Sequence, residues 1–207
     1  MTNDTKMLER RLRSLTTGAA AMSKRASAGL GDAAATEGLL DLAYGFTDSP
    51  VGRLLVVQSP HGVVRIEFAE SIDDALQELA ANVSPRLMES NGATGETRRE
   101  LDEYFDGRRR DFDSPVDLSA VRGFARKVLD ATARIPFGSV STYRDVAGRA
   151  GNARAMRAAG NALGSNPVPI VVPCHRVIRT DGSLGGYGGR LDRKVVLLRL
   201  EGALQED

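Results

Sequence analysis

Apolar and polar positions divide the chain into three stretches of different character. The first, residues 1–40, opens with a charged, helix-compatible segment, Lys6–Leu15. It runs into an Ala/Gly/Ser-rich stretch, Thr16–Thr36, without aromatics or a sustained apolar period. It reads as an N-terminal extension, either a flexible tail or an accessory helix. From Leu42, short runs rich in Val, Leu, Ile and aromatics take over: Leu42–Thr47, Gly52–Gln58 and Gly62–Phe68. The turn signals Asp48-Ser49-Pro50 and Ser59-Pro60-His61-Gly62 separate them. These runs predict the strands of a small antiparallel sheet. Ile72–Leu79 and Thr97–Phe105 carry helical spacing, the second stopped by Gly107 and followed by Arg108-Arg109-Arg110 and the Pro115 break. A boundary near Asp113–Leu118 then separates an α/β domain, residues 41–115, from a mainly helical domain, residues 116–207. The fold class expected is α/β in the α+β sense.

The second half begins with an amphipathic helix, Ala120–Ala133, in which Val121, Phe124, Val128 and Leu129 recur at helical spacing. Thr142-Tyr143-Arg144-Asp145 fits the capping pattern that opens a helix, here to about Ala150. Gly151 stops it, and Asn152 is placed to cap a second helix, Ala153–Leu163. Two helices joined by a short Gly-containing turn predict a helix-turn-helix. In the second helix Arg154, Arg157 and Asn161 share one face, while Ala155, Ala158, Ala159, Gly160 and Ala162 keep it slim. Such a helix suits a DNA groove.

Charge changes this picture more than composition does. At 207 residues, with 42% hydrophobic and 27% charged residues, the chain is long and apolar enough for an ordinary globular core. Its net charge of +1 conceals an asymmetry: Asp130–Arg199 holds eleven Arg/Lys against four Asp, a balance of +7, so the remainder sums to −6. A basic C-terminal third is a hint of a polyanion-binding face. No run of about 18 apolar residues and no secretory pattern is present, so a cytoplasmic protein without a membrane partner is expected. One cysteine and two histidines supply neither an internal disulfide nor a structural zinc set, so neither metal nor cofactor is expected.

That cysteine lies in Asn166-Pro167-Val168-Pro169-Ile170-Val171-Val172-Pro173-Cys174-His175-Arg176-Val177. The prolines forbid a helix and predict an extended, rigid path that ends at Cys174. A lone cysteine is ordinarily a small buried hydrophobe. Here His175, Arg176 and Asn166 stand where they would favour the thiolate.

Arg157-Ala158-Ala159-Gly160, Asn166-Pro167, Pro173-Cys174-His175-Arg176-Val177, Gly186-Tyr187-Gly188-Gly189 and Leu200-Glu201-Gly202, in that order, resemble the O6-alkylguanine-DNA alkyltransferase family. The likeness is strong from about Ala120 to Ala203, looser over Leu42–Leu118 and absent from residues 1–40. It implies irreversible, single-turnover transfer of an alkyl group from guanine O6, or less readily thymine O4, to Cys174. The implied partner is duplex DNA carrying the alkylated base, met by a protein monomeric in the free state. It also implies a helix-turn-helix in the minor groove, with the damaged nucleotide flipped into a pocket.

Carried over by position, the resemblance makes His175 a general base acting through a water, Glu201 its orienting carboxylate and Asn166 the brace of the turn. Arg157 would fill the space left by the flipped nucleotide, and Tyr143 would rotate the target phosphate and donate toward guanine N3. Arg154, Asn161, Ala158 and Gly160 would face DNA, and Pro169, Val177, Tyr187, Gly188 and Gly189 would border the base. Gly188 replaces a serine common in the family, and Arg190 stands where glycine is common, where it could add a phosphate contact. Two other classes remain open at this point. A non-catalytic sensor of alkylated DNA would not require Cys174, and a Cys-His hydrolase would not require the arginine-bearing helix.

Overall fold

The computed structural model describes residues 26–27, 29–187 and 190–205, in which residues 29–36 form helix α1. Strands β1 (Leu42–Thr47), β2 (Leu54–Ser59), β3 (Gly62–Phe68) and β4 (Leu87–Glu89) make one sheet in the order β3-β2-β1-β4. The β1–β2 and β2–β3 pairs are antiparallel, and β4 runs parallel to β1. Helices α2 (Ile72–Asn82) and α3 (Gly95–Phe105) complete the first half. The second half holds α4 (Gly123–Thr132), α5 (Tyr143–Arg149), α6 (Met156–Gly164) and α7 (Leu191–Leu200), with a two-stranded parallel pair, β5 (Ser141–Thr142) and β6 (Val177–Ile178).

The uninterrupted apolar run of β2 reflects a central strand covered on both faces: Leu54, Leu55, Val56 and Val57 are all fully buried. Side chains alternate across a strand. Leu55 and Val57 therefore join Leu42 and, from α2, Ala75 and Leu79, while Leu54 and Val56 enter a larger core. That larger core contains Val63 and Ile66 from the first half together with Val128, Leu129, Val146 and Leu197 from the second. The backbone crosses as well, Asp117 N donating to Val63 O and Ile66 N to Pro167 O, both at 2.9 Å. Each buried Val or Leu contributes about 1.5–3 kcal/mol, so the two halves are stabilised by one shared core.

Several boundaries differ from the sequence reading, each for a local reason. The sheet is not purely antiparallel, because the unanticipated three-residue β4 pairs in parallel with β1. β2 starts at Leu54 rather than Gly52, since Gly52, at φ 104°, closes a turn by donating its N–H to Ser49 O. α4 starts at Gly123 rather than Ala120, because Val121 N closes a separate turn onto Leu118 O. α6 starts at Met156 rather than Ala153: Asn152 Oδ1 accepts from Arg154 N at 3.1 Å, forming a turn instead of a helix cap. Arg154 thus precedes the helix. Lys6–Leu15 lies outside the described residues, and α1 occupies part of the Ala/Gly/Ser-rich stretch. Among the described residues no helix is long and apolar enough to cross a membrane.

Candidate active site

The cysteine segment is not the extended path that its prolines suggest. Ile170 adopts φ 76°, Val172 N returns to Val168 O at 2.9 Å, and Cys174–Arg176 form a 3-10 turn. Asn166 ties this fold-back together. Its Oδ1 accepts from Val168 N at 3.1 Å, and its Nδ2 donates to Val172 O at 2.8 Å and to Cys174 Sγ at 3.1 Å. One amide therefore fixes both the loop and the sulfur.

The helix-turn-helix is joined to the same place through β5. Ser141 and Thr142 pair with Val177 and Ile178, just past the cysteine turn. Thr142 then caps α5, its Oγ1 accepting from Asp145 N at 3.1 Å and donating to Asp145 Oδ2 at 2.7 Å. Tyr143 follows at once and is half-buried. Its hydroxyl lies 2.9 Å from where a Cβ at Gly185 would stand, and Gly185 is at φ 70°, so this crossing requires glycine.

Tyr143, Arg157, Gly160, Cys174, Arg179 and Tyr187 line an open cleft of ≈ 1010 Å³ between the helix pair and the loop before α7. Asn161 also lines it. Ala158 and Arg154 are exposed but do not line the cleft. A second cavity of ≈ 560 Å³ is bordered by Tyr187, Asn166, Pro169 and Arg193, and Tyr187, Leu163 and Gly164 line both. Val177 lines neither, because its side chain is buried in the core. Gly188 and Gly189 lie outside the described residues.

Behind the cysteine, His175 and Glu201 are both buried, with Nε2 and Oε1 at 2.9 Å. Glu201 also accepts from Arg176 Nε at 2.9 Å and Nη2 at 2.8 Å, from Tyr104 Oη at 2.7 Å and from Gly138 N at 3.3 Å. Burial alone would raise its carboxyl, but the hydrogen bonds from His175 and Arg176, with the Arg176 charge, outweigh that and hold it at about 2. His175 is pulled below the usual imidazole range by burial, against the opposing pull of Glu201, and so rests neutral. With Nε2–H committed to Glu201, Nδ1 is the free acceptor, and no described residue partners it. Burial pushes the Cys174 thiol up, opposed by the Asn166 hydrogen bond and the charge of Lys194. The surroundings of the resting protein therefore favour the thiol, not the thiolate.

Three comparisons bear on what this arrangement belongs to. Residues 42–118 match the family described as 6-O-methylguanine DNA methyltransferase, ribonuclease-like domain, and residues 123–203 match its DNA binding domain. The chain belongs to the 6-O-methylguanine DNA methyltransferase family. Relatives named "Methylated-DNA--protein-cysteine methyltransferase" include one from Mycobacterium leprae, 38% identical over 74% of this chain and 88% of its own length. Another, from Haemophilus influenzae, is 33% identical over 77% and 86%. The crystal structure of Mycobacterium tuberculosis OGT in complex with DNA aligns with a TM-score of 0.66 at 34% identity, over 78% of this chain and 93% of that one.

Within this methyltransferase fold, Lys194 and Tyr104 escaped the sequence reading, and Arg176 has another role than the one read for it. Rather than favouring the thiolate, Arg176 is a buried partner of Glu201, its Nη1 donating to Ile135 O at 2.5 Å. Lys194 is fully buried in α7 and donates to the carbonyls of Val177 and Leu184; burial lowers it to about 8. Its position three and four residues before the buried Leu197 and Leu198 marks it as a core-facing lysine, a signal available in the sequence. Tyr104, 97 residues from Glu201, carries no such local signal. Arg190 is committed within the protein, to Glu70 at 2.6 Å and Asp192 at 3.1 Å, rather than left free for a phosphate.

Proposed function

We propose that this chain repairs DNA by direct reversal, moving the alkyl group of O6-alkylguanine, and less readily O4-alkylthymine, onto Cys174 in a single turnover. The observation that carries this reading is the turn Cys174–Arg176, which opens one residue onto a cleft beside a helix-turn-helix and the next onto a buried carboxylate. Residues 116–207 act as the DNA-binding and acceptor domain on the scaffold of residues 41–115.

The thiol proton passes through a water to His175 Nδ1, and Glu201 stabilises the imidazolium that forms. Lys194 and the Asn166 amide stabilise the thiolate, and Sγ bonds to the alkyl carbon as the carbon–O6 bond breaks. Guanine leaves with the electron pair, aided by a hydrogen bond donated by Tyr143, and then takes a proton from water. Arg157 occupies the space that the flipped nucleotide vacates, Asn161, Gly160, Ala158 and Arg154 face the backbone, and Tyr187 borders the base.

Cys174→Ser tests the assignment of the acceptor. The variant binds methylated duplex as the wild type does and transfers nothing, because a hydroxyl lacks the accessible ionisation of a thiol. Alkylation of the Cys174→Ser chain at a comparable rate would move the acceptor elsewhere.

A further inference from the structure

Glu201 Oε1 is crowded. It receives His175 Nε2, Arg176 Nη2 and, at 2.7 Å, the hydroxyl of Tyr104. Tyr104 comes from α3, in the half of the chain that carries neither the cysteine nor the helix-turn-helix. It is fully buried, and its ring is packed by Phe105, Phe112 and Phe137 at centroid distances of 5.2, 5.4 and 6.1 Å. These contacts leave the hydroxyl aimed at one acceptor. Burial and the neighbouring carboxylate push its ionisation far above the usual phenol range, so it acts only as a donor.

We propose that Tyr104 is a positioning residue of alkyl transfer, contributed by the first half of the chain, which holds Glu201 and limits how strongly that carboxylate draws a proton onto His175. The inference rests on the His175–Glu201 relay proposed above. A carboxylate oxygen shared with a phenol and a guanidinium offers less charge to an imidazole than one facing the imidazole alone. The relay needs His175 neutral before substrate arrives and protonated only while the sulfur attacks. The Tyr104 hydroxyl serves the first requirement by keeping the imidazole from protonating early, and the second by keeping Glu201 in place. The other titratable groups facing this cluster are Arg176 in the cysteine turn, Lys194 on α7, Cys174 and Tyr187. None of them comes from the first half, so through the side chain of Tyr104 that half reaches the relay directly.

Tyr104→Phe keeps the ring and removes the donor. Two measurements are made on the full chain: single-turnover transfer from methylated duplex across pH, and titration of the imidazole signals by NMR. With only two histidines, exposed His61 serves as an internal reference. The expected result is an acid limb of the rate profile, and a His175 titration, displaced upward together by about half to one pH unit. Transfer is then roughly twofold to fivefold slower at the pH where the wild-type rate is half-maximal and recovers as pH rises. DNA affinity and the His61 titration stay unchanged. Equal slowing at every pH with an unmoved His175 titration would reduce Tyr104 to packing and overturn the proposal, as would no change at all. Glu201→Gln, run in parallel, separates the two levels. If it displaces the acid limb while Tyr104→Phe does not, the positioning role alone fails. If neither displaces it and Cys174 is still alkylated, the relay itself is wrong.

Discussion

At the scale of single residues, the site is built on a buried carboxylate that serves structure and chemistry together. Glu201 neutralises Arg176 and orients His175, so replacing it tests both roles. In Glu201→Gln, His175 loses the charge that stabilises its protonated form, and transfer slows by about 10²-fold. Arg176 is left buried without an anion, which costs about 3 kcal/mol of stability at neutral pH. The pH dependence has a definite sign. The carboxyl sits at about 2 in the folded protein, below its value of about 4.3 in an unfolded chain. Its contribution is therefore complete above about pH 4.3 and is lost as pH falls toward 2. Melting curves of wild type and Glu201→Gln should differ at neutral pH and converge in acid. A constant gap down to the acid end, or an unchanged transfer rate, would contradict the assignment.

At the scale of elements, α6 and the turn before it decide how DNA is met. Arg157 is exposed at the second residue of α6 and lines the cleft, with no ion pair among the described residues. If it fills the gap left by a flipped nucleotide, Arg157→Ala should slow transfer most in a fully paired duplex, where extrusion costs a few kcal/mol, and least in single strands. Equal losses on both substrates would make it an ordinary phosphate contact. The element that carries Arg157 was legible because its signals are local: the Thr142 cap, the Gly151 stop and the small-residue run of the helix. The start of α6 was not, because Asn152 can serve either a helix cap or a tight turn and only the backbone chooses. The same holds for the cysteine segment. Prolines predict restricted φ, but nothing in the sequence announces that Ile170 takes a left-handed conformation and folds the path back on itself. β4 was missed because a three-residue strand following Pro85 offers too few positions for an alternation to be read.

At the scale of the molecule, one core joins both halves, and Cys174 is part of it. Asn166 binds Sγ with the same amide nitrogen that holds the Val172 carbonyl. Methylating Cys174 leaves only a weak thioether acceptor there, which can no longer ionise, and adds volume to a closely packed turn, so the methylated protein should be less stable by about 1–3 kcal/mol. Thermal melting of the reacted and unreacted forms checks this, and an unchanged transition would mean the loop accommodates the group freely. The residues of the acceptor segment, though not its turn, were legible because they adjoin in sequence, whereas the Glu201 hub draws on α3, the 3-10 turn and the end of α7, a convergence that only the tertiary fold creates. The central claim is that each chain acts once. Alkyl transfer leaves a thioether, which has no carbonyl for water to attack and is outside the reach of thiol exchange, a reaction of disulfides. A fixed amount of protein is titrated with excess O6-methylguanine duplex, and intact mass and the Cys174 peptide are followed. The expected result is a plateau at about one methyl per chain, located on Cys174 and unaffected by reductant; repair continuing past that plateau would contradict single-turnover transfer.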